Sequence, residues 1–153
     1  MDYIHQINIS KGGVPKRPVK SVYISKNGLV GDKQKNKIYH GGPERAVCLF
    51  SMDVIEKLQK EGHSIFPGST GENLTIRHHD YFLFQEGTTL QIGDDVLIEI
   101  VTYTPPCETI RASFLKGDFS VISQELNPGN SRLYAKVLQA GWVTKGDLIQ
   151  EIK

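Results

Sequence analysis

Between Leu90 and Tyr103 apolar and polar side chains alternate, with Val96, Ile98 and Ile100 set against Asp95 and Glu99 and Gly93-Asp94 as a turn. A period of two is the pattern of a half-buried strand. Ile4-His5-Gln6-Ile7-Asn8-Ile9 repeats it and ends at Gly12-Gly13, Val19 to Ile24 repeats it less cleanly, and Leu74-Thr75-Ile76 follows the punctuated loop Gly68 to Asn73. The ending Gly146 to Ile152 echoes Gly93 to Ile100 as a second turn-and-strand entry. One helix is predicted from Met52: Ser51 caps it, Asp53 suits its first turn, Val54, Ile55 and Leu58 form its apolar stripe, and Gly62 stops it. Arg111 to Gln124 is compatible with a helical crossing, and Asn127-Pro128-Gly129-Asn130 is loop. Arg132 to Leu138 carries helix formers and strand-like alternation together, so its type stays open.

With 153 residues, a single domain spanning 1–153 is the economical reading, large enough to bury a core without disulfide or metal support. Eighteen Lys and Arg balance seventeen Asp and Glu, so overall charge gives no case for a nucleic-acid or membrane partner. Two cysteines do not form a secreted disulfide framework, and no signal-peptide pattern or run of eighteen apolar residues occurs. A cytoplasmic protein is expected.

Chemistry-bearing residues gather in the longest polar stretch, Asn27 to Gly42. Lys33, Lys35, Lys37 and Arg45, with Lys16 and Arg17 nearby, can form an electropositive rim, and Gly41 and Gly42 let main-chain N–H groups approach an oxyanion. The same lysines equally suit a solvated surface loop. Neither the phosphate-loop nor the dinucleotide glycine pattern is present. His40 can donate to an anion, exchange a proton near neutral pH or brace the loop. Arg45 can hold a carboxylate or phosphate in a fixed direction, or pair with Glu44 or Glu72. Glu72 can orient Arg45 or His40, and Asn73 can pin the loop through its amide. His78 and His79 are adjacent, without the spacing of a helix-borne metal pair, and no hydrolase serine elbow occurs.

Gly31-Asp32, His40-Gly41-Gly42-Pro43-Glu44-Arg45-Ala46-Val47, Gly71-Glu72-Asn73-Leu74, Gly93-Asp94, Pro106-Cys107 and Tyr134 to Leu138 followed by Gly146-Asp147 occur in one order from about residue 28 to residue 149. In that order they resemble the MOSC domain, named for the C-terminal domain of molybdenum-cofactor sulfurases, here as a free-standing member. The resemblance implies a mostly β fold, a closed MOSC-type β-barrel with a few peripheral helices, in which Tyr134 to Leu138 is a strand. It also implies handling of the molybdenum cofactor in its molybdopterin form, with Cys107 as the catalytic and metal-ligating thiolate or the carrier of sulfur. His40 is a second catalytic candidate, and Lys33, Lys35, Lys37, Gly41, Gly42, Arg45, Glu72, Asn73 and Arg132 are the cofactor-binding candidates. The family often has an arginine shortly before its Pro-Cys pair. This chain reads Thr104-Pro105-Pro106-Cys107, so Arg111, Arg132 or Arg45 must supply that charge, or cofactor affinity differs.

Three functions follow as expectations. The first is a cofactor or sulfur carrier working with a cofactor donor or acceptor protein. The second is a molybdenum-dependent reductase of N-hydroxylated compounds served by separate electron-transfer proteins. The third is a noncatalytic anion-binding domain, which leaves Cys107 without a role.

Overall fold

The computed structural model describes residues 1–33 and 42–153. Their strands are β1 (Tyr3–Ile9), β2 (Arg17–Val19), β3 (Ser21–Ser25), β4 (Gly28–Leu29), β5 (Val47–Ser51), β6 (Leu74–Arg77), β7 (Thr89–Ile92), β8 (Val96–Thr104), β9 (Arg132–Gln139), β10 (Gly141–Thr144) and β11 (Ile149–Ile152). One α-helix, α1 (Met52–Lys60), follows β5 directly. Eight strands form a sheet in the order β11-β7-β8-β9-β5-β6-β1-β2, and β10-β3-β4 form a second sheet. All pairs are antiparallel except β5 with β6.

The fold is therefore mostly β as expected, but its sheets do not close into the expected barrel. Closure requires a ladder joining the two edges of the large sheet. At one edge β2 is three residues long with Pro18 at its centre, which has no N–H to offer a neighbour. Toward the other, β1 meets the segment just before β11 through the isolated bridge Tyr3–Leu148 and the few backbone hydrogen bonds around it, with no continuous ladder among the described residues. An alternating pattern specifies that a strand is half-buried and leaves its neighbour unspecified, so it could not distinguish the two outcomes.

The core divides at β5, whose five residues are all buried. Val47 and Leu49 pack with Ile4, Ile7, Leu74, Ile76, Ile98 and Leu133 on one side. Phe50 packs with Ile55, Leu58, Ile65, Ile110 and Phe114 on the other, beneath α1. Successive side chains of a strand point to opposite faces, so covering both faces makes a continuous apolar run necessary here. The helix starts where its sequence signals place it: Ser51 Oγ accepts the Val54 N–H at 3.2 Å, and Lys57 and Lys60 occupy the last turn.

Two segments differ from the sequence reading. Val19 to Ile24 is broken, with β2 ending at Val19 and β3 beginning at Ser21 in the other sheet. Arg111 to Gln124 forms no continuous helix; 3-10 turns occupy Glu108–Ser113, Leu115–Gly117 and Phe119–Ile122, interrupted by the left-handed backbone of Lys116 at φ 55°. Arg132 to Leu138 is strand, within β9. Among the described residues no helix is long and apolar enough to cross a membrane.

Phe50 is fully buried, so Phe50→Ala is expected to cost about 3–5 kcal/mol through lost burial and a residual cavity. Ser51→Ala removes only the cap and is expected to cost about 1 kcal/mol. Urea denaturation of both variants checks the order; a cap loss equal to the core loss would contradict this packing.

Candidate functional site

The loop Gly68 to Asn73 is built around a buried carboxylate. Glu72 has no exposed surface; its oxygens accept the Gly68 N–H at 3.0 Å and the hydroxyls of Thr70 and Thr75 at 3.0 and 2.8 Å. Burial raises its pKa, and these donors oppose that rise. A Cβ on Gly68 would lie 2.4 Å from the Lys16 carbonyl oxygen, so glycine is required for that approach. Glu72 thus organises its own loop and the start of β6. It does not orient Arg45, as the sequence had allowed.

Asn73 joins this loop to β5 and to the segment entering residue 33. Its Oδ1 accepts the Cys48 N–H at 3.0 Å, and its Nδ2 donates to Asp32 Oδ2 at 2.9 Å. Asp32 also accepts the Ser10 N–H at 2.9 Å and pairs with Lys16 Nζ at 2.6 Å, the two side chains 5% and 4% exposed. Lys16 is therefore a buried partner of Asp32, whereas Lys33 is exposed. Gly42 has φ 86° and precedes a 3-10 turn at Pro43–Arg45, which sets Arg45 over the Tyr134 ring at 5.6 Å from its centroid. Lys35, Lys37, His40 and Gly41 lie outside the described residues.

Arg132 enters from β9, paired in register with Thr104 at the end of β8. Its side chain is buried, Nη1 donates to the Thr70 carbonyl at 2.6 Å and Nη2 to the Pro105 carbonyl at 3.1 Å. Its Nε has no hydrogen-bond partner among the described residues. Two residues beyond Pro105, Cys107 is half-buried at the start of a 3-10 turn, with Sγ 2.9 Å from Thr109 Oγ1. Tyr134 lies within electrostatic reach of both thiols and of Arg132 and Arg45; burial drives its pKa far up, and the two arginines pull it down. Cys48 is buried against Thr104 Oγ1, and burial raises its pKa, as suits a packed thiol. Arg111 is exposed beside Glu108.

The structure therefore brings Cys107, Arg132, Arg45 and Tyr134 to one end of β8 and β9, with Glu72 and Asn73 supporting them through Thr70 and Cys48. A soft sulfur donor beside a buried, incompletely paired cation and a second arginine fits an anionic metal-bearing group.

Residues 36–150 match the family model described as MOSC domain. The chain belongs to the MOSC domain family. That membership links it to molybdenum-cofactor-associated proteins. It is 26% identical over 136 residues to the uncharacterized protein YflK of Bacillus subtilis (strain 168), covering 88% of this chain and 60% of YflK. It is 28% identical over 132 residues to a protein named "Reductase" from Gibberella moniliformis (strain M3125 / FGSC 7600), covering 84% of this chain and 23% of that one. The chain thus spans less than two thirds of either curated relative. YiiM from Geobacillus stearothermophilus superposes with a TM-score of 0.77 at 21% identity, over 100% of this chain and 76% of that one, a likeness of fold alone.

This MOSC domain also converges Asp2, His78 and His79, whose ligand atoms lie within 4.8 Å of one another, away from either cysteine. Adjacent histidines gave no metal-ligand spacing, and no sequence signal tied them to Asp2. Asp2 Oδ2 lies 2.7 Å from His79 Nδ1 and 3.7 Å from His78 Nε2, and Asp2 Oδ1 accepts the His79 backbone N–H at 2.9 Å. His78 Nδ1 accepts the Asp80 N–H at 3.1 Å, so neutral His78 carries its proton on Nε2, the nitrogen facing Asp2. A metal there would have to displace that proton. The donor set suits a proton-sharing clamp on the N-terminal strand better than a metal centre.

Burial, acting against the pull of Asp2, lowers the His78 pKa. Below the unfolded value of about 6.5 the unfolded chain binds a proton that the folded chain refuses, so stability falls as pH drops through that window toward the folded pKa. The slope of Tm against pH is expected to flatten there in His78→Asn; an unchanged slope would remove His78 as its source. Separately, Asp32→Ala leaves the Lys16 ammonium buried without its carboxylate and is expected to cost about 3–5 kcal/mol in denaturant. Adding Lys16→Met should recover part of that loss, and a purely additive double variant would argue against the pair.

Proposed function

We propose that this chain is a small molybdenum-cofactor reductase of N-hydroxylated compounds that draws electrons from separate redox proteins. The observation that carries the proposal is Arg132, a buried guanidinium whose Nε has no partner among the described residues, bonded to the carbonyl two residues before Cys107. Burying a cation with incomplete partners is unfavourable, and an anionic ligand at that end of β9 relieves it.

Cys107 would ligate the metal as a thiolate. Arg132 and Arg45 would hold the anionic pterin, with Lys33 at the rim and Lys35, Lys37, His40 and Gly41 as sequence candidates outside the described residues. Gly42 lets the main chain turn in close ahead of Arg45. When bound, the cofactor supplies two-electron redox chemistry. Reduction of an N–OH group consumes two electrons and two protons and yields the amine and water. Glu72 and Asn73 act by fixing the loop and strand on which these groups sit.

The reductase named among the relatives supports this reading over a cofactor or sulfur carrier, which would use the same thiol. The chain spans 23% of that relative, and the proposal draws its electrons from a separate redox protein. A noncatalytic anion-binding domain would need Arg132 and Arg45 but not Cys107.

Protein purified from cells that make the cofactor should contain molybdenum and pterin and should reduce an N-hydroxylated amine with a reduced viologen as donor. Folded Cys107→Ala should lose metal and turnover by more than the roughly 10–100-fold typical of an outer-shell change, while Cys48→Ala keeps both. Cofactor-loaded wild type without reductase activity, or Cys107→Ala with undiminished turnover, would sink the proposal.

A further inference from the structure

At the opposite end of β8 from Cys107, roughly 26 Å along the strand, the turn after β7 meets the turn after β10. Between them opens a cleft of about 600 Å³ lined chiefly by Gln91, Asp94, Asp95, Trp142, Asp147 and Leu148. That volume lies in the range of small-ligand sites. The two turns are joined by the Gly93 N–H donating to the Leu148 carbonyl at 2.8 Å. Glycines let its acidic side chains approach bare backbone: a Cβ on Gly93 would lie 2.8 Å from the carboxylate oxygen Oδ2 of Asp147, and one on Gly141 would lie 2.8 Å from the Asp95 Cβ.

Each wall has a distinct chemistry. Trp142 is 63% exposed, an unusual solvation for the largest apolar side chain, and it is braced from one side by the edge-on ring of Tyr23 at 5.7 Å. Asp147 is held by its own turn, accepting the Thr144 N–H at 2.8 Å. Asp94 and Asp95 are exposed; their carbonyls accept the Gln91 and Gln139 amides, and their carboxylates make no ion pair or hydrogen bond with any described residue. Among the described residues no Lys, Arg or His lines the cleft. Lys145 lies between the lining residues Thr144 and Gly146 without itself lining the cleft. On a chain of formal charge +1, the cleft is a local concentration of negative charge around an indole face.

We infer that this cleft binds a guanidinium group, stacked on Trp142 and neutralised by Asp94 and Asp95. The indole face carries the negative lobe of the ring quadrupole, and a planar, weakly hydrated guanidinium both stacks on it and forks onto carboxylates. The site shares no residue with the Cys107 end and does not rest on the function proposed there. The same chemistry reaches the cleft from a free guanidino compound or from an arginine of a polypeptide partner.

Trp142 is the only tryptophan, so its fluorescence reports the cleft directly. Titration of the whole protein with N-acetylarginine amide and with acetylated hexa-arginine should give a saturable change that weakens as salt rises. Asp94→Asn with Asp95→Asn should bind about tenfold more weakly, and Trp142→Phe, followed by calorimetry, should also bind more weakly. Comparable affinity for the two probes assigns a free guanidino ligand, and much tighter binding of the peptide assigns a polypeptide. Absence of saturation at millimolar probe, or undiminished binding by either folded variant, would overturn the inference.

Discussion

The buried pair between Lys16 and Asp32 is the junction on which the Cys107 end of the molecule depends. Removing two charges from water is costly, and such pairs contribute geometry more dependably than stability. Here the geometry is multiple: Asp32 also takes the Ser10 N–H and the Asn73 amide, and Asn73 in turn fixes β5 through Cys48. Four separated parts of the chain are therefore held by one carboxylate and one amide. A polar cluster of this kind constrains strongly because any partner left unmatched in a low-dielectric interior carries a large penalty.

From that junction the order passes outward. Glu72 shapes the Gly68 to Asn73 loop, the loop presents the Thr70 carbonyl to Arg132, and Arg132 holds the Pro105 carbonyl two residues before Cys107. The thiol's placement is thus tied, contact by contact, to groups distant in the chain. Proline at 105 and 106 adds stiffness at the last step by fixing two backbone angles.

The local elements were legible because their causes are local. Alternation at Val96, Ile98 and Ile100 and the Ser51 cap each depend on near neighbours, and both appear as expected. Arrangement was not. The barrel implied by family resemblance requires an edge-to-edge ladder that Pro18 and the brief Tyr3–Leu148 contact do not provide. Asn73 was legible as the residue that pins the loop, whereas Glu72, read as an orienter of Arg45 or His40, binds its own loop instead, since its partners are set by how Gly68, Thr70 and Thr75 fold around it. The Asp2–His78–His79 clamp joins residues 76 or more positions apart in pairs that no spacing rule covers.

Arg132 shows most clearly how strand register can bring a cation to a segment whose own sequence carries none. The MOSC pattern often carries an arginine just before its Pro-Cys pair, and Pro105 in this chain cannot supply charge. Antiparallel pairing sets Arg132 opposite Thr104, so the guanidinium comes laterally from β9 to the segment from which the expected side chain is missing. A cation delivered by a central strand is more rigidly placed than one on a proline-rich turn: Arg132 pairs with Thr104 of β8, and the next residue, Leu133, pairs with Leu49 of β5. The consequence is a positive group whose position depends on sheet register, while the thiol it accompanies sits on the turn that follows. Separation of charge and thiol onto two elements lets the turn vary without moving the cation, and it makes the register between β8 and β9 set how the two lie relative to each other.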